Sequence, residues 1–290
     1  MLKSRLCIAF FAFAVGCAPA QKPLTDYVNP MLGTATLWDS VDLGFKPTKR
    51  TWGAEVFPGS SLPNAMVQVS PVTKFHSGAG YQYEDSVIYG FTHTNKGHWN
   101  LCHIPLLPVT GTPTPGDYCS PFSHERESAA PGYYQVFLDR YGVDAQLSST
   151  LRCAFHKYTY PAGAAASLLA DLQRSNEHVR AWDIRKEGDN VFAGWQQTGE
   201  KMYFYAVANR PVTGIEPVVE GDREVRIVRF GEGDGALELR IGFSFVSEKN
   251  ARENLEAEML GKSFAEVRSE ATATWNDLLG RIRVEGGTER

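Results

Sequence analysis

Cysteine is scarce in this sequence, with five in 290 residues. Cys7 and Cys17 fall near the start, which leaves Cys102, Cys119 and Cys153 in the body of the chain. An odd number without C-x-x-C spacing excludes a disulfide-dense scaffold. The three read as small buried residues, or as one pair, Cys102–Cys119 or Cys119–Cys153, in an oxidising compartment. An excess of one charge is also missing, since 29 basic residues face 33 acidic ones for a formal charge of -4. No basic patch points to nucleic acid, and no acidic tract points to a disordered tail. Long apolar runs are absent too. CIAFFAFAVG, which follows the basic MLKSRL, is too short to span a bilayer.

That short apolar run marks residues 1–20 as an export signal. Two processing readings stay open. Ala18-Pro19-Ala20 is an A-x-A site that would leave Gln21 first, whereas Ala14-Val15-Gly16-Cys17 resembles a lipoprotein box that would leave Cys17 lipidated. Both predict an exported protein, periplasmic or held at the outer membrane or cell surface as a lipoprotein. Membrane contact would come only through that lipid.

Interleaved helices are missing between residues 24 and 246, so a parallel α/β sheet is excluded. Short apolar segments separated by turn signals stand there instead. AMVQVSP (65–71) sets Met66 on one face and Val67 and Val69 on the other. YYQVFLDRYG (133–142), AQLSSTLRCAFHKYTYP (145–161), SLLADL, FAGWQQT, MYFYAVAN, EVRIVRFG and ALELRIGFSFV continue the pattern. Strands of this length at this spacing predict a mainly β chain, an antiparallel sandwich. Beyond Val246 the period changes. SEKNARENLEAEML (247–260) predicts a helix capped by Ser247, with Ala251, Leu255 and Met259 on one face. Ser263-Phe264-Ala265-Glu266 is a capping box that opens a second helix, with Phe264, Val267, Ala271, Trp275, Leu278 and Ile282 as its apolar stripe. That stripe either packs back on the sandwich or leads into a helical neighbour.

Catalytic and metal signatures are also sparse. There is no H-E-x-x-H and no G-x-S-x-G. One stretch, GFTHTNKGHWNLCHIP (90–105), concentrates polar and aromatic residues. His93, His98 and His103 are spaced by five and converge neither on a helix nor on a strand, which speaks against a metal site. Cys102 beside His98 or His103 could form a thiolate pair, but its apolar neighbours suit a buried structural cysteine better. Saccharide recognition fits best. Trp99 offers a ring for an apolar sugar face, Asn95, Lys96, His98 and Asn100 offer hydrogen bonds, and Gly97 permits close approach. Arg50 and Trp52 repeat that recipe in RTWGAEVFPG (50–59). The competing reading makes Trp52 and Trp99 core aromatics. Trp195 and Trp275 fall within apolar patterns and read as core. Glu55, Glu84, Asp85, Asp117 and Glu125 lie near loops with no pair singled out by spacing, so no carboxylate receives a catalytic role.

Several segments resemble glycoside hydrolase family 92, the exo-acting α-mannosidases. DYVNPMLGT (26–34) is similar to that family's opening D-x-x-N/D-P-x-x-G-T. In order follow EVFPGSSLPNAMVQVSPVT (55–73), GYQYEDSVIYGFTHTN (80–95), APGYYQVFLDRYGVDAQLSSTLRCAFHKYTYP (130–161), IGFSFVSEKNARENLEAE (241–258) and FAEVRSEATATWNDLLGRIRVEGGTER (264–290). The resemblance implies a galactose-mutarotase-like β-sandwich over 24–246 and a helical linker over 247–290, leading toward an (α/α)6 barrel that these residues do not include. It implies an inverting enzyme in which one carboxylic acid protonates the leaving oxygen and one carboxylate activates water. Those carboxylates, and most ligands of the calcium that the full-length family uses, belong to the barrel. None is expected to be held by this chain alone. Arg50, Trp52, Asn95, Lys96, Gly97, His98 and Trp99 would line one wall of a pocket for α-mannosides or other glycans. Many members carry a serine- and glycine-rich run where this sequence has NKGHWNLC, so the loop departs from the pattern. The alternative is a stand-alone carbohydrate-binding or structural module of the cell envelope.

Overall fold

A computed structural model describes residues 22–37, 44–46, 56–96, 99–114, 116 and 118–282, without the side chains of 95, 96 and 99. Strands are numbered in chain order. Seven form one sheet: β1 (Ser60–Ser61), β2 (Gln68–Val72), β4 (Gly90–Thr92), β7 (Leu106–Thr110), β13 (Ala166–Ala170), β18 (Arg223–Phe230) and β17 (Val212–Glu220), in that spatial order. Eight form the other: β14 (Ala181–Gly188), β15 (Val191–Gln197), β16 (Lys201–Ala208), β19 (Leu237–Ser244), β12 (Cys153–Thr159), β11 (Val143–Ser149), β10 (Tyr133–Leu138) and β9 (Glu127–Ala130). Two short ribbons complete the strands, β3 (Val87–Ile88) with β8 (Ser120–Pro121) and β5 (Asn95–Lys96) with β6 (Trp99–Asn100). The pairings are antiparallel, so the predicted sandwich is what forms.

Period-two alternation builds the core between the sheets. In β16, Met202, Phe204, Ala206 and Ala208 are buried while Lys201, Tyr203, Tyr205 and Val207 are less so. Val67 and Val69 point inward and Met66 only packs against their cluster, as the alternation predicts. Leu151 breaks the 145–161 segment in two, lying 47% exposed in the turn that divides β11 from β12.

Helix α1 (Glu248–Glu258) and helix α2 (Phe264–Leu279) follow. Ser247 Oγ accepts from the Asn250 amide at 3.1 Å, and Ser263 and Glu266 form the reciprocal box. Both helices lie back on the outer face of the eight-stranded sheet. Leu255, Met259, Phe264 and Val267 share a second apolar cluster there with Tyr133, Cys153 and Phe155. Gly242 in β19 makes the contact possible, because a Cβ at this position would stand 2.1 Å from the Ala251 carbonyl oxygen. The stripe stops short of its predicted extent. Gly280 caps α2, and Ile282 lies outside it, 83% exposed. Trp275 is half-buried and donates from its indole nitrogen to the Ser61 carbonyl at 2.7 Å. Trp195 is not core, because it faces outward on β15 beneath Lys201 Nζ at 3.8 Å from the ring centroid. Among the described residues no helix is long and apolar enough to cross a membrane.

Candidate functional site

The polar cluster of the sequence becomes a small hairpin that leaves the seven-stranded sheet between β4 and β7. Asn95 pairs with Asn100 and Lys96 with Trp99, so β5 and β6 bring the backbones of four predicted saccharide contacts together. Gly97, His98, Arg50, Trp52 and Cys17 lie outside the described residues, as do the side chains of Asn95, Lys96 and Trp99.

The hairpin's base is a buried polar framework. Asn100 is buried, takes the Cys102 amide on its Oδ1 at 2.8 Å and donates from Nδ2 to the Ala79 carbonyl at 3.1 Å. Asn176 donates to the Asn100 carbonyl at 2.6 Å and accepts from the His76 amide at 2.6 Å. Ser175 donates to the Leu101 carbonyl at 2.6 Å. His103 stands between two threonines, with Nδ1 at 2.9 Å from Thr94 Oγ1 and Nε2 at 2.9 Å from Thr198 Oγ1. Burial pulls its imidazole down to about 4, against the opposing influence of Glu177, so the ring is neutral near pH 7. Three of the four non-glycine residues with left-handed φ among the described residues are here: His76 at 58°, Cys102 at 53° and Ile104 at 54°. A β-branched residue in that region is strained, and strain of this kind persists only where neighbours over-determine it.

His93 points into the core. Its Nε2 lies 3.0 Å from His156 Nε2, and His156 Nδ1 lies 2.5 Å from the Tyr158 hydroxyl, a chain buried in the core. Among the described residues no three metal-ligating groups converge. Cys102 is fully buried, and burial pushes its thiol up, so it serves no thiolate chemistry. Cys102, Cys119 and Cys153 are all free.

A second polar centre has no signature in the sequence. The Glu127 carboxylate, with 1% of its side chain exposed, lies 3.0 Å from the Tyr81 hydroxyl, 2.5 Å from the Tyr134 hydroxyl and 2.5 Å from His124 Nδ1. His124 stacks on Tyr83, centroids 3.9 Å apart, and its Nε2 reaches the Tyr83 carbonyl at 2.7 Å. Burial first, then the carboxylate, pushes both phenols up, which keeps them as donors. With every nearby donor committed to it, Glu127 acts as an internal tie.

A cavity of about 320 Å3 lies between the N-terminal segment and α2, lined by Val28, Pro30, Phe57, Trp275 and Leu279 among others. Among the described residues its lining is apolar apart from Ser61 and includes none of the hairpin. Near the hairpin's base, Phe245 and Val246 at the β19–α1 corner are 40% and 76% exposed, and Phe245 meets the His103 ring edge-on.

Comparison with known proteins settles the family. Residues 27–254 match the glycosyl hydrolase family 92 N-terminal domain. The chain belongs to glycosyl hydrolase family 92. Residues 250–290 match the glycosyl hydrolase family 92 catalytic domain. A family 92 α-mannosidase from Bacteroides thetaiotaomicron superposes with a TM-score of 0.80 at 25% identity, over 92% of this chain and 39% of that one. A family 92 inverting mannosidase from Bacteroides thetaiotaomicron VPI-5482 gives 0.76 at 25% identity, over 91% of this chain and 37% of that one. An uncharacterized secreted glycosidase from Arthroderma benhamiae is 24% identical over 90% of this chain and 38% of its own length. The family 92 chain therefore spans about two fifths of the length of these relatives. The mainly β sandwich with two C-terminal helices is the shared part.

Proposed function

We propose that this chain is the N-terminal, saccharide-binding half of an exported, inverting α-mannosidase. In this reading the hairpin lines one wall of the mannose pocket through Asn95, Lys96, Gly97, His98 and Trp99, and the segment with Arg50 and Trp52 adds to that wall. The observation that carries it is the match of 27–254 to the family's N-terminal domain, combined with a buried, over-determined base beneath β5 and β6. A saccharide wall needs polar groups held still, since ordering them on binding would cost affinity.

Hydrolysis is assigned to residues of the catalytic domain beyond this chain, so the chain alone binds without appreciable turnover. Calcium in the full-length enzyme is assigned there as well. Among the described residues no three His, Cys, Asp or Glu side chains converge into a set for a hard cation that needs six to eight oxygens, and two buried carboxylates are committed elsewhere. Glu127 is tied by two phenols and an imidazole, and Asp171 by Arg223 at 2.5 Å. The chain's own contribution is therefore to bind and orient sugar hydroxyls and to exclude water from one side of the scissile bond. The secreted relative supports export. Attachment at Cys17, giving a periplasmic or surface lipoprotein, is tested by palmitate labelling of wild type and Cys17→Ala, with label expected in the first alone.

Calorimetric titration of the purified chain with mannose and α-linked mannobiose tests binding. Heat with either at millimolar sugar is expected, and Trp99→Ala should weaken that affinity about tenfold, close to 1.4 kcal/mol, with an unchanged unfolding midpoint. No heat with either sugar rejects the reading.

A further inference from the structure

From the opposite sheet, the Gln196 side chain reaches across to the hairpin's left-handed base. It sits fully buried near the end of β15. Its Oε1 accepts from the Ile104 amide at 2.8 Å, and its Nε2 donates to the Leu172 carbonyl at 2.9 Å and the Arg174 carbonyl at 3.0 Å. Oxygen toward an N–H and nitrogen toward two carbonyls is the sole amide orientation that satisfies all three. Ile104, with φ at 54°, adopts a backbone conformation that β-branched residues avoid. Two residues further along, Thr198 holds His103 Nε2. Leu172 and Arg174 belong to the turn that leads into Ser175 and Asn176, which hold Leu101 and Asn100. One amide thus connects β15, the 171–176 turn and the 102–104 turn, and both turns reach β6.

We propose that Gln196 is a positioning residue for the hairpin: it fixes the angle at which β5 and β6 leave the sandwich, through the left-handed turn at Cys102–Ile104. Its meaning for sugar binding rests on the function proposed above, but its action on the hairpin does not. The other sheet thereby sets the hairpin's presentation, although no strand of that sheet pairs with it. A side chain buried for packing alone would not need an amide, and a buried amide with a missing partner is costly.

Hydrogen exchange of the full chain tests this, compared among wild type, Gln196→Met and Thr198→Val, alongside the unfolding midpoint. Gln196→Met keeps the volume and removes all three bonds; Thr198→Val removes the neighbouring bond to His103 and serves if the first variant fails to fold. The expected result is exchange about tenfold faster at Trp99–Ile104 amides, with β16 and β19 amides keeping wild-type protection, because local opening is separable from global unfolding. Unchanged exchange at 99–104 in the folded variants overturns the proposal. So does acceleration spread evenly over β16 and β19, which marks a purely structural role. Titration with α-linked mannobiose then adds the functional arm. Affinity lost in Trp99→Ala and weakened in Gln196→Met supports positioning of a sugar contact; affinity lost in Trp99→Ala but kept in Gln196→Met overturns it. Affinity unchanged by Trp99→Ala removes the saccharide reading, and the exchange result still decides whether Gln196 positions the hairpin.

Discussion

Glu127 shows how much one side chain can organise without any role in chemistry. Its carboxylate is nearly inaccessible, and Tyr81, Tyr134 and His124 all point at it. Glu127→Gln would keep the shape but turn an amide NH2 toward a donor, leaving at least one buried polar group unpaired. The expected cost is about 1–3 kcal/mol of unfolding free energy. Glu125→Gln, two residues away on the exposed side of the same short turn, is expected to stay within about 0.5 kcal/mol. Urea unfolding of the two variants checks the contrast, and equal midpoints would refute the tie. Gln196 belongs to the same class of residue. Neither gave a signal in the sequence, because a single Glu or Gln in an alternating segment looks like a solvated face until its partners from distant segments are known. Asn100 was legible as a donor, but the structure turns it inward, where it caps the turn to Cys102.

At the scale of elements, the strands and helices that alternate strongly were the legible ones. β10, β13, β15, β16, β18 and β19 coincide with apolar segments, and both helix caps fall on the residues the sequence marks. β14 and β17 escaped because they are sheet edges. β17 has Pro217 within it and exposes most of its length, so it carries little alternation. Trp195 departs from the core reading for a related reason, since its ring on the outer face of β15 lies beneath Lys201 Nζ. The close contact of α1 with β19 could not be read either, although Gly242 is its trace. Gly242→Ala would drive a methyl into the Ala251 carbonyl and the Leu255 Cβ, at 2.1 and 2.8 Å. Lifting the helix to relieve this should cost about 1–3 kcal/mol, comparable with the low end of Leu255→Ala, which deletes a buried side chain of the same interface for about 2–5 kcal/mol. A Gly242→Ala variant with wild-type thermal stability would show that α1 is not seated as described.

For the molecule as a whole, three buried histidines join the two sheets and the hairpin, and they set its response to acid. His93 and His156 meet between β4 and β12, and His103 braces the hairpin against the end of β15. Burial holds His93 down at about 3 and His103 at about 4, and it pulls His156 well below the ordinary imidazole range, with the neighbouring His93 adding to the effect. All three are neutral in the folded protein near pH 7. In the unfolded chain each takes a proton near pH 6.5. The folded values are depressed, so their stabilising contribution is present above pH 6.5 and is lost as the pH falls toward 4, because the unfolded state then binds more protons. Each histidine should remove about 1–2 kcal/mol between pH 7 and pH 5. Burial raises the Asp171 carboxyl, an influence of the opposite sign. Urea midpoints measured at pH 7 and pH 5 should differ accordingly. His156→Gln, which keeps a polar group beside Tyr158 but does not titrate, should be less stable at pH 7 and show a shallower decline. Equal midpoints at the two pH values would mean that the imidazoles are not held neutral, and that the packing of β4 against β12 differs from the one described.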